Sequence, residues 1–294
     1  MAGNQHRVHI IGCGDIGRRT AALCLQAQQE VRAWVRSAGS LEACRELGLP
    51  CQLLDLDLRG QAPVLEQSGR LLYTVPPPAS GRVDSRIRAF LDRIDAGHVE
   101  RFALISTTGV YGDCDGRWVD ESTPINPVAD RALRRADAEA CLREWALKNG
   151  KEYLILRVPG IYAADRLPLK RIKSGAPVVR RADAPWTNRI HADDLAAVCL
   201  AALNSPVKNE IINVSDDAPS TLTDYFLAIA EYSGLPRPPE IGLEEARHSF
   251  SPGMLSYLAE SRRIDNRKMK RLLNIELKYP GLQQGLYKKT RGEA

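Results

Sequence analysis

No apolar run in this chain of 294 residues approaches the roughly 20 that a transmembrane helix needs; the longest spans 195–203. The amino-terminal MAGNQHRV has no apolar signal core either, so the expectation is a soluble cytoplasmic protein. The seven cysteines (Cys13, Cys24, Cys44, Cys51, Cys114, Cys141, Cys199) show no C-x-x-C spacing, and an odd number cannot all pair within one chain, which leaves reduced thiols as the simplest state. The five histidines form no H-E-x-x-H or comparable ligand cluster, so no structural or catalytic metal is expected. A large charge of one sign is also missing. The 41 Lys+Arg against 36 Asp+Glu leave +5, which argues against a disordered chain and against an electrostatically driven nucleic-acid binder. What remains is enough apolar material, 44%, to fill a sizeable core over a length of about two domains.

From residue 7, RVHIIG is a β-branched apolar run of strand length, and IGRRTAALCLQAQQ after the glycines carries apolar residues at helical period. The alternation continues through VRAWVRS, LEACRELG, CQLLDLD, RLLYTV, the segment 85–96, RFALIST, a helix over 127–148 and EYLILRV. Strands alternating with helices imply right-handed βαβ units and an α/β fold with a doubly wound parallel sheet of Rossmann type. The long helix is signalled by Asn126 as N-cap, Pro127 at the first helical position and Gly150 as the left-handed terminator. After Tyr162 the pattern is less regular: a short helix and strand, then IHADDLAAVCLAAL, whose aspartates cap a helix rejoining the first domain, then a helix over 223–233 closed by Gly234 and Pro236.

Gly12-Cys13-Gly14-Asp15-Ile16-Gly17 is a G-x-G-x-x-G sequence, and its place between a buried-type strand and a helix raises it above an ordinary glycine turn. In that context Gly12 permits the tight turn, Gly14 lets backbone approach a pyrophosphate at the helix amino terminus beside Asp15 and Ile16, and Gly17 permits close helix packing. An NAD site places Asp or Glu at the end of the second strand to hold the ribose 2′-hydroxyl. Here VRAWVRS ends in Arg36 and Ser37, and a guanidinium there suits a 2′-phosphate, which predicts NADP (NADPH) over NAD. Asp55, after the third strand, is a candidate for the adenine amino group or a plain loop carboxylate. Thr74, Val75 and Pro76, after the fourth strand, complete the candidate cofactor set.

With these residues in place, the chain resembles the extended short-chain dehydrogenase/reductase superfamily, the NAD-dependent epimerase/dehydratases, nearly end to end. The landmarks are IIGCGDIG (10–17), LISTTGVYGD (104–113), WVDESTPINP (118–127), LRVPGIYAADR (156–166), NRIHADDLA (188–196), INVSDDAPSTLTDY (212–225) and RRIDNRKMKRLL (262–273). The resemblance implies a Rossmann cofactor domain over 5–163 plus 188–214 and a smaller carboxyl-terminal α/β substrate domain over 164–187 plus 215–294, meeting above the strand ends. Ile11 stands at the family's first glycine, which is similar to an atypical, YeeZ-like subgroup. The family's helix-to-helix homodimer would use the 127–148 helix.

The family's chemistry uses a Ser or Thr, a Tyr and a Lys, with Tyr and Lys four apart on one helix so that the ammonium lowers the phenol's pKa. Thr107 fits the Ser/Thr position, with Thr108 beside it at the substrate. Aligned through Glu139, the Tyr and Lys positions fall on Arg131 and Arg135, which share a helix face but stay protonated and cannot serve as acid/base. Three readings stand for this pair: a solvated helix face with partners such as Asp130 and Asp137, which is the commoner fate of helical charge; an anion site for a substrate phosphate or carboxylate; or a contact to the cofactor ribose. Tyr111, in the loop after the fifth strand, is the first candidate for an alternative proton carrier, ahead of Asp113, Asp120 and His191. Lys170, Lys173, Arg180, Arg181 and Arg189 are candidates for an anionic substrate or a solvated face. The expected function is an NADP-dependent oxidoreductase or epimerase/dehydratase on a small polar substrate, with a non-catalytic NADP sensor as the alternative. Nucleic-acid binding through RRIDNRKMKRLL and KKTR is disfavoured because the run lacks interleaved aromatics.

Overall fold

The computed structural model describes residues 6–58 and 60–287, so residue 5 and the KKTR run lie outside the described residues. Seven strands form one parallel sheet: β1 (Arg7–Ile11), β2 (Val31–Val35), β3 (Cys51–Leu53), β4 (Gly69–Tyr73), β5 (Val99–Thr107), β6 (Glu152–Val158) and β7 (Glu210–Asn213), in the order β3-β2-β1-β4-β5-β6-β7. That order reverses direction between β1 and β4, which opens a crevice at the carboxyl ends of the strands there.

The central strands read as near-continuous apolar runs because both faces are covered. Successive residues go to opposite faces. Leu72, Ala103, Leu154 and Leu156 pack with Ala21 and Cys24 of α1 (Asp15–Gln26) and with Leu195 and Val198 of α6 (Ala192–Asn204). Leu71, Tyr73, Phe102, Leu104 and Ile155 pack with Ile87 and Phe90 of α3 (Ser85–Leu91) and with Ala138 and Leu142 of α4 (Asp130–Asn149). Each such buried Leu, Ile or Phe contributes about 1.5–3 kcal/mol. The remaining helix of the β2–β3 crossover is α2 (Ala38–Glu46), and α5 (Leu169–Lys173) is the short helix of the irregular region.

The long helix corrects the expected start. Asn126 does not cap it: its backbone N–H donates to Val110 O at 2.9 Å, and Pro127 precedes the helix, whose N-cap is Ala129 with no side-chain cap. The reason is a tertiary tether. Gly112, at φ +68°, lies so close to Asn126 that a Cβ there would sit 2.2 Å from its carbonyl oxygen, which holds 126–129 extended against the loop after β5. The other end is as expected, with Gly150 in the left-handed region.

Beyond β6 the chain builds a second, smaller layer. Its α7 (Leu222–Tyr232) starts with a Thr221/Asp224 capping box and buries Phe226 and Ile229 against Ile172, Val178 and Leu286. Two short two-stranded pairings lie outside the main sheet: Arg189–His191 runs parallel to Gly160–Tyr162, and Trp186–Thr187 runs antiparallel to Ser220–Thr221.

Candidate active site

The glycine turn follows β1. Gly12 has φ +85°, and a Cβ there would come within 2.9 Å of Val75 N, so the turn requires glycine both for its conformation and for the approach of the chain after β4. The Thr74 hydroxyl ties the two segments by donating to Gly12 O at 2.5 Å. A Cβ on Gly14 would meet nothing nearer than 3.8 Å, and Gly14 caps α1 without a side-chain bond. The first amides of α1 thus have no side-chain cap, and Gly14 leaves room beside them, an arrangement suited to a phosphate. Gly17 is close-packed, 3.1 Å from Ile10 Cγ2 once a Cβ is placed on it, and Ile16 is buried beside it. Asp15 is not left as a free anion beside this site. Burial pushes its carboxyl up, but Arg19 at 2.8 Å and Arg166 at 2.6 Å outweigh that and hold it below the usual carboxylate range.

Arg36 directly follows β2, is 62% exposed along its side chain, and among the described residues pairs with Asp57 alone, at 3.5 Å, which Arg86 already binds at 2.6 Å. Ser37 caps α2 through Ser40 N. Asp55 lies beyond the end of β3 and accepts from Asp57 N at 3.0 Å, so one carboxylate oxygen is spent on a loop turn. The segment after β4 is held by arginines of the helices behind it: Arg86 donates to Pro76 O at 2.9 Å, Arg135 to Val75 O at 3.1 Å and Arg134 to Gly81 O at 2.5 Å.

The helical arginine pair overturns the solvated-face expectation. Asp137 is taken by Arg88, and its other role is to accept from Asp84 N. Arg135 is 9% exposed, and its Nη1 lies 3.6 Å from the buried carboxylate of Asp84. Arg131 stacks over the Tyr257 ring at 4.3 Å, bonds to Ser256 and reaches Glu260 at 3.3 Å. Neither partner was legible nearby, since Asp84 and Glu260 lie far off in the chain.

Both arginines face a cleft of about 450 Å³ at the carboxyl ends of β5 and β6. Thr107, Thr108 and Gly109 form one wall, Pro159 to Tyr162 and Trp186 to Arg189 the next, with Pro77, Leu222, Tyr225, Tyr257, Glu260 and Arg262 completing it. A larger hollow of about 810 Å³ near Arg143, Leu147 and Glu152 lies at the amino-terminal edge of the sheet, the wrong end for a Rossmann-type ligand. Thr107 ends β5; its Oγ1 accepts from Gly109 N at 3.1 Å, which leaves the hydroxyl proton to be donated into the cleft.

The cleft thus gathers Thr107, Thr108, Arg131, Arg135 and Arg189 from the expected set, and leaves others out. Tyr111 is 1% exposed, its hydroxyl donates to Asn213 Oδ1 at 2.8 Å, and Arg157 lies 4.8 Å over its ring. Burial raises its pKa, and a phenol so enclosed does not reach a substrate, which corrects its reading as proton carrier. His191 caps α6 through Asp193 N and stacks on Tyr279 at 3.9 Å. Asp113 accepts from Ser261 N, and Asp120 from Ser122 and its neighbours, both as loop bonds. Lys170, Lys173 and Arg180 do not line the cleft, and neither does Arg181, which pairs with Asp224 at 3.0 Å. What sequence reasoning missed is the far wall, Trp186, Tyr225, Tyr257, Glu260 and Arg262. Only the family-like INVSDDAPSTLTDY and RRIDNRKMKRLL segments signalled that part of the chain.

A parallel sheet of this order, with an open glycine turn at the switch point, defines a dinucleotide-binding Rossmann fold. The chain belongs to the NAD(P)H-binding family, whose model matches residues 12–206. It is 26% identical over 287 residues to Protein YeeZ of Escherichia coli strain K12, covering 93% of this chain and 96% of that protein. The structure of a functionally unknown conserved protein from Silicibacter pomeroyi DSS superposes with a TM-score of 0.83 at 29% identity, covering 96% of each chain. The UDP-glucose 4-epimerase of Thermus thermophilus, solved in complex with NAD, shares the fold with a TM-score of 0.73 at 21% identity over 95% of this chain and 96% of that one. No described helix is long and apolar enough to cross a membrane.

Proposed function

We propose that the protein is an NADP-dependent oxidoreductase or epimerase/dehydratase acting on a small polar substrate, sugar-like or anionic, with Arg131 and Arg135 in place of the family's Tyr and Lys. In this reading 5–163 with 188–214 carry the cofactor, and 164–187 with 215–294 the substrate. The observation that carries it is the meeting of Thr107, Arg131 and Arg135 in one cleft beside the segment that closes the glycine turn. The residues present fit a dinucleotide: the space over Gly14 and the uncapped start of α1 suit the pyrophosphate, and Arg36 with Ser37 suits a 2′-phosphate.

The bound dinucleotide supplies the hydride. Thr107 would hold the reacting oxygen by hydrogen bond, and Arg135 would stabilise negative charge on that oxygen and could hold the ribose of a bound dinucleotide. Arg131, fixed by Glu260 and Tyr257, shapes the cleft and adds positive potential without moving a proton. A non-catalytic NADP sensor is the second reading, favoured by one specific observation: Tyr111 is sealed in the core, and an arginine fills the position of the family's phenol.

Native mass spectrometry of freshly purified protein, with absorbance near 340 nm of whatever denaturation releases, tests the proposal. Retained NADP that survives dilution supports an epimerase or dehydratase, which returns its hydride to the same substrate. Reversible binding of added NADPH by empty protein supports a reductase or sensor, and failure to bind either dinucleotide overturns the proposal.

A further inference from the structure

The cleft contains four arginines, and three of them have an ion-pair partner, one carboxylate being shared by two. Arg131 and Arg262 share Glu260, at 3.3 and 2.9 Å, and Arg135 faces Asp84 and Val75 O. Arg189 differs. It is 6% exposed, donates from Nη1 to Ser220 Oγ at 3.0 Å, and makes no ion pair among the described residues. Burial brings its pKa down to about 10, which records the cost of enclosing an unmatched guanidinium. The acids near it are poor counter-ions. Asp224 is engaged by Arg181 at 3.0 Å, and burial pushes Asp216 up to about 7.

The geometry of Arg189 limits what can complete it. Its face lies 4.0 Å over the Tyr225 ring, and its stem passes Gly160, where a Cβ would meet Arg189 Cγ at 3.8 Å. With one face and one nitrogen engaged, the remaining N–H edge presents a planar fork, the match for a carboxylate held through two oxygens. Register places that fork near the chemistry: Thr107 is opposite Val158, and Gly160, two residues on, is opposite Arg189. Thr107 and Arg189 line the same cleft, so an anion on the fork and an oxygen on the hydroxyl would share one space. The cleft, about 450 Å³, is at the lower end of the range of roughly 300–1,000 Å³ for ligand sites. Its walls beside Arg189 are Tyr162, Leu222 and Tyr225, which suit an apolar body.

We infer that the substrate is a small hydroxy or oxo carboxylic acid with an apolar body, its single carboxylate held by Arg189, and not a nucleotide diphosphate. This rests on the reading of the cleft as the substrate site of an NADP-binding protein. A nucleotide diphosphate would bring a ribose and a base besides its phosphates to a cleft of about 450 Å³ in which only Arg189 has no ion-pair partner among the described residues.

The test uses NADPH-saturated full-length protein and calorimetric titration with phenylpyruvate, 3-phenyllactate, the methyl ester of 3-phenyllactate, glucose 6-phosphate and UDP-glucose. The expected result is binding of at least one of the two carboxylates, with the ester weaker by about 10-fold or more and UDP-glucose inert. Arg189→Met should lower carboxylate affinity by about 30-fold while leaving NADPH affinity within a factor of two, and Arg189→Lys should fall between, because it keeps the charge and loses the fork. Ser220→Ala, which removes only the bond to Nη1, gives a folded comparison if Arg189→Met is unstable, with an expected loss of a few-fold. Binding of UDP-glucose or glucose 6-phosphate in preference to the carboxylates overturns the inference, as does silence from both carboxylates or an Arg189→Lys variant that binds them as wild type does. Loss of NADPH binding by the wild-type protein would instead overturn the reading beneath it.

Discussion

The cofactor side and the catalytic side of the crevice have been treated differently by this sequence. On the cofactor side the determinants are conformational: Gly12 at φ +85° against Val75, an open Gly14, and a close-packed Gly17. On the side proposed as catalytic they are side-chain identities, with Arg131 and Arg135 held by partners of their own, Glu260 and Asp84. Backbone geometry can thus preserve a dinucleotide site while the side chains above it vary.

The contrast is most severely tested where the catalytic side meets the core. Ser106, Glu139 and Arg157 form a buried cluster behind the cleft, with Arg157 donating to Glu139 at 2.7 and 3.1 Å. Glu139→Ala leaves that guanidinium unpaired, and chemical denaturation should show a loss of about 3–5 kcal/mol. If the loss is under 1 kcal/mol, the cluster is not the support this account assigns to β5 and α4. Next in size is Gly12→Val, which adds a branched side chain at positive φ against Val75 N. It should weaken NADPH binding by about 100-fold or more in fluorescence titration and lower stability by about 1–3 kcal/mol. Undiminished binding would remove the conformational half of the comparison.

Arg36→Asp should weaken NADPH by about 30-fold and leave NADH within a few-fold, measured by the same titration. Equal losses would show that Arg36 acts only as a surface charge near Asp57. The smallest effect concerns pH. Burial raises Asp216 to about 7, above its unfolded value, so its contribution is fully present below about pH 4 and is lost as pH rises through 7. Asp216→Asn should flatten the fall in stability between pH 5 and pH 8 by on the order of 1–2 kcal/mol, read from denaturant midpoints. An unchanged slope would mean that Asp216 is better solvated than its position implies.

What could be read from the sequence was local. The run RVHIIG, the glycines and the helical period after them all act within a few residues of one another, and so do Gly150 and Gly234 as terminators. The start of α4 was not local, because Asn126 is tied to Val110 and Gly112 across a loop. Tyr111 misled for a similar reason: its partners Arg157 and Asn213 come from β6 and β7, and nothing near STTGVYG shows that they close over it. The arginine pair looked solvated because Asp130 and Asp137 are near in sequence, whereas the carboxylates that matter arrive from α3 and from residue 260. The far wall of the cleft is assembled from segments more than 50 residues beyond Thr107, and spacing carries no information about how such segments meet.

The central claim is that a functional NADP site survives beneath an altered catalytic centre, and parallel titration of wild-type protein with NADPH and NADH tests it most directly. Saturable binding of one NADPH per chain, about 10-fold or more tighter than NADH, is the predicted result. Equal affinities would contradict the assignment of Arg36, and absence of binding by both would contradict the account as a whole.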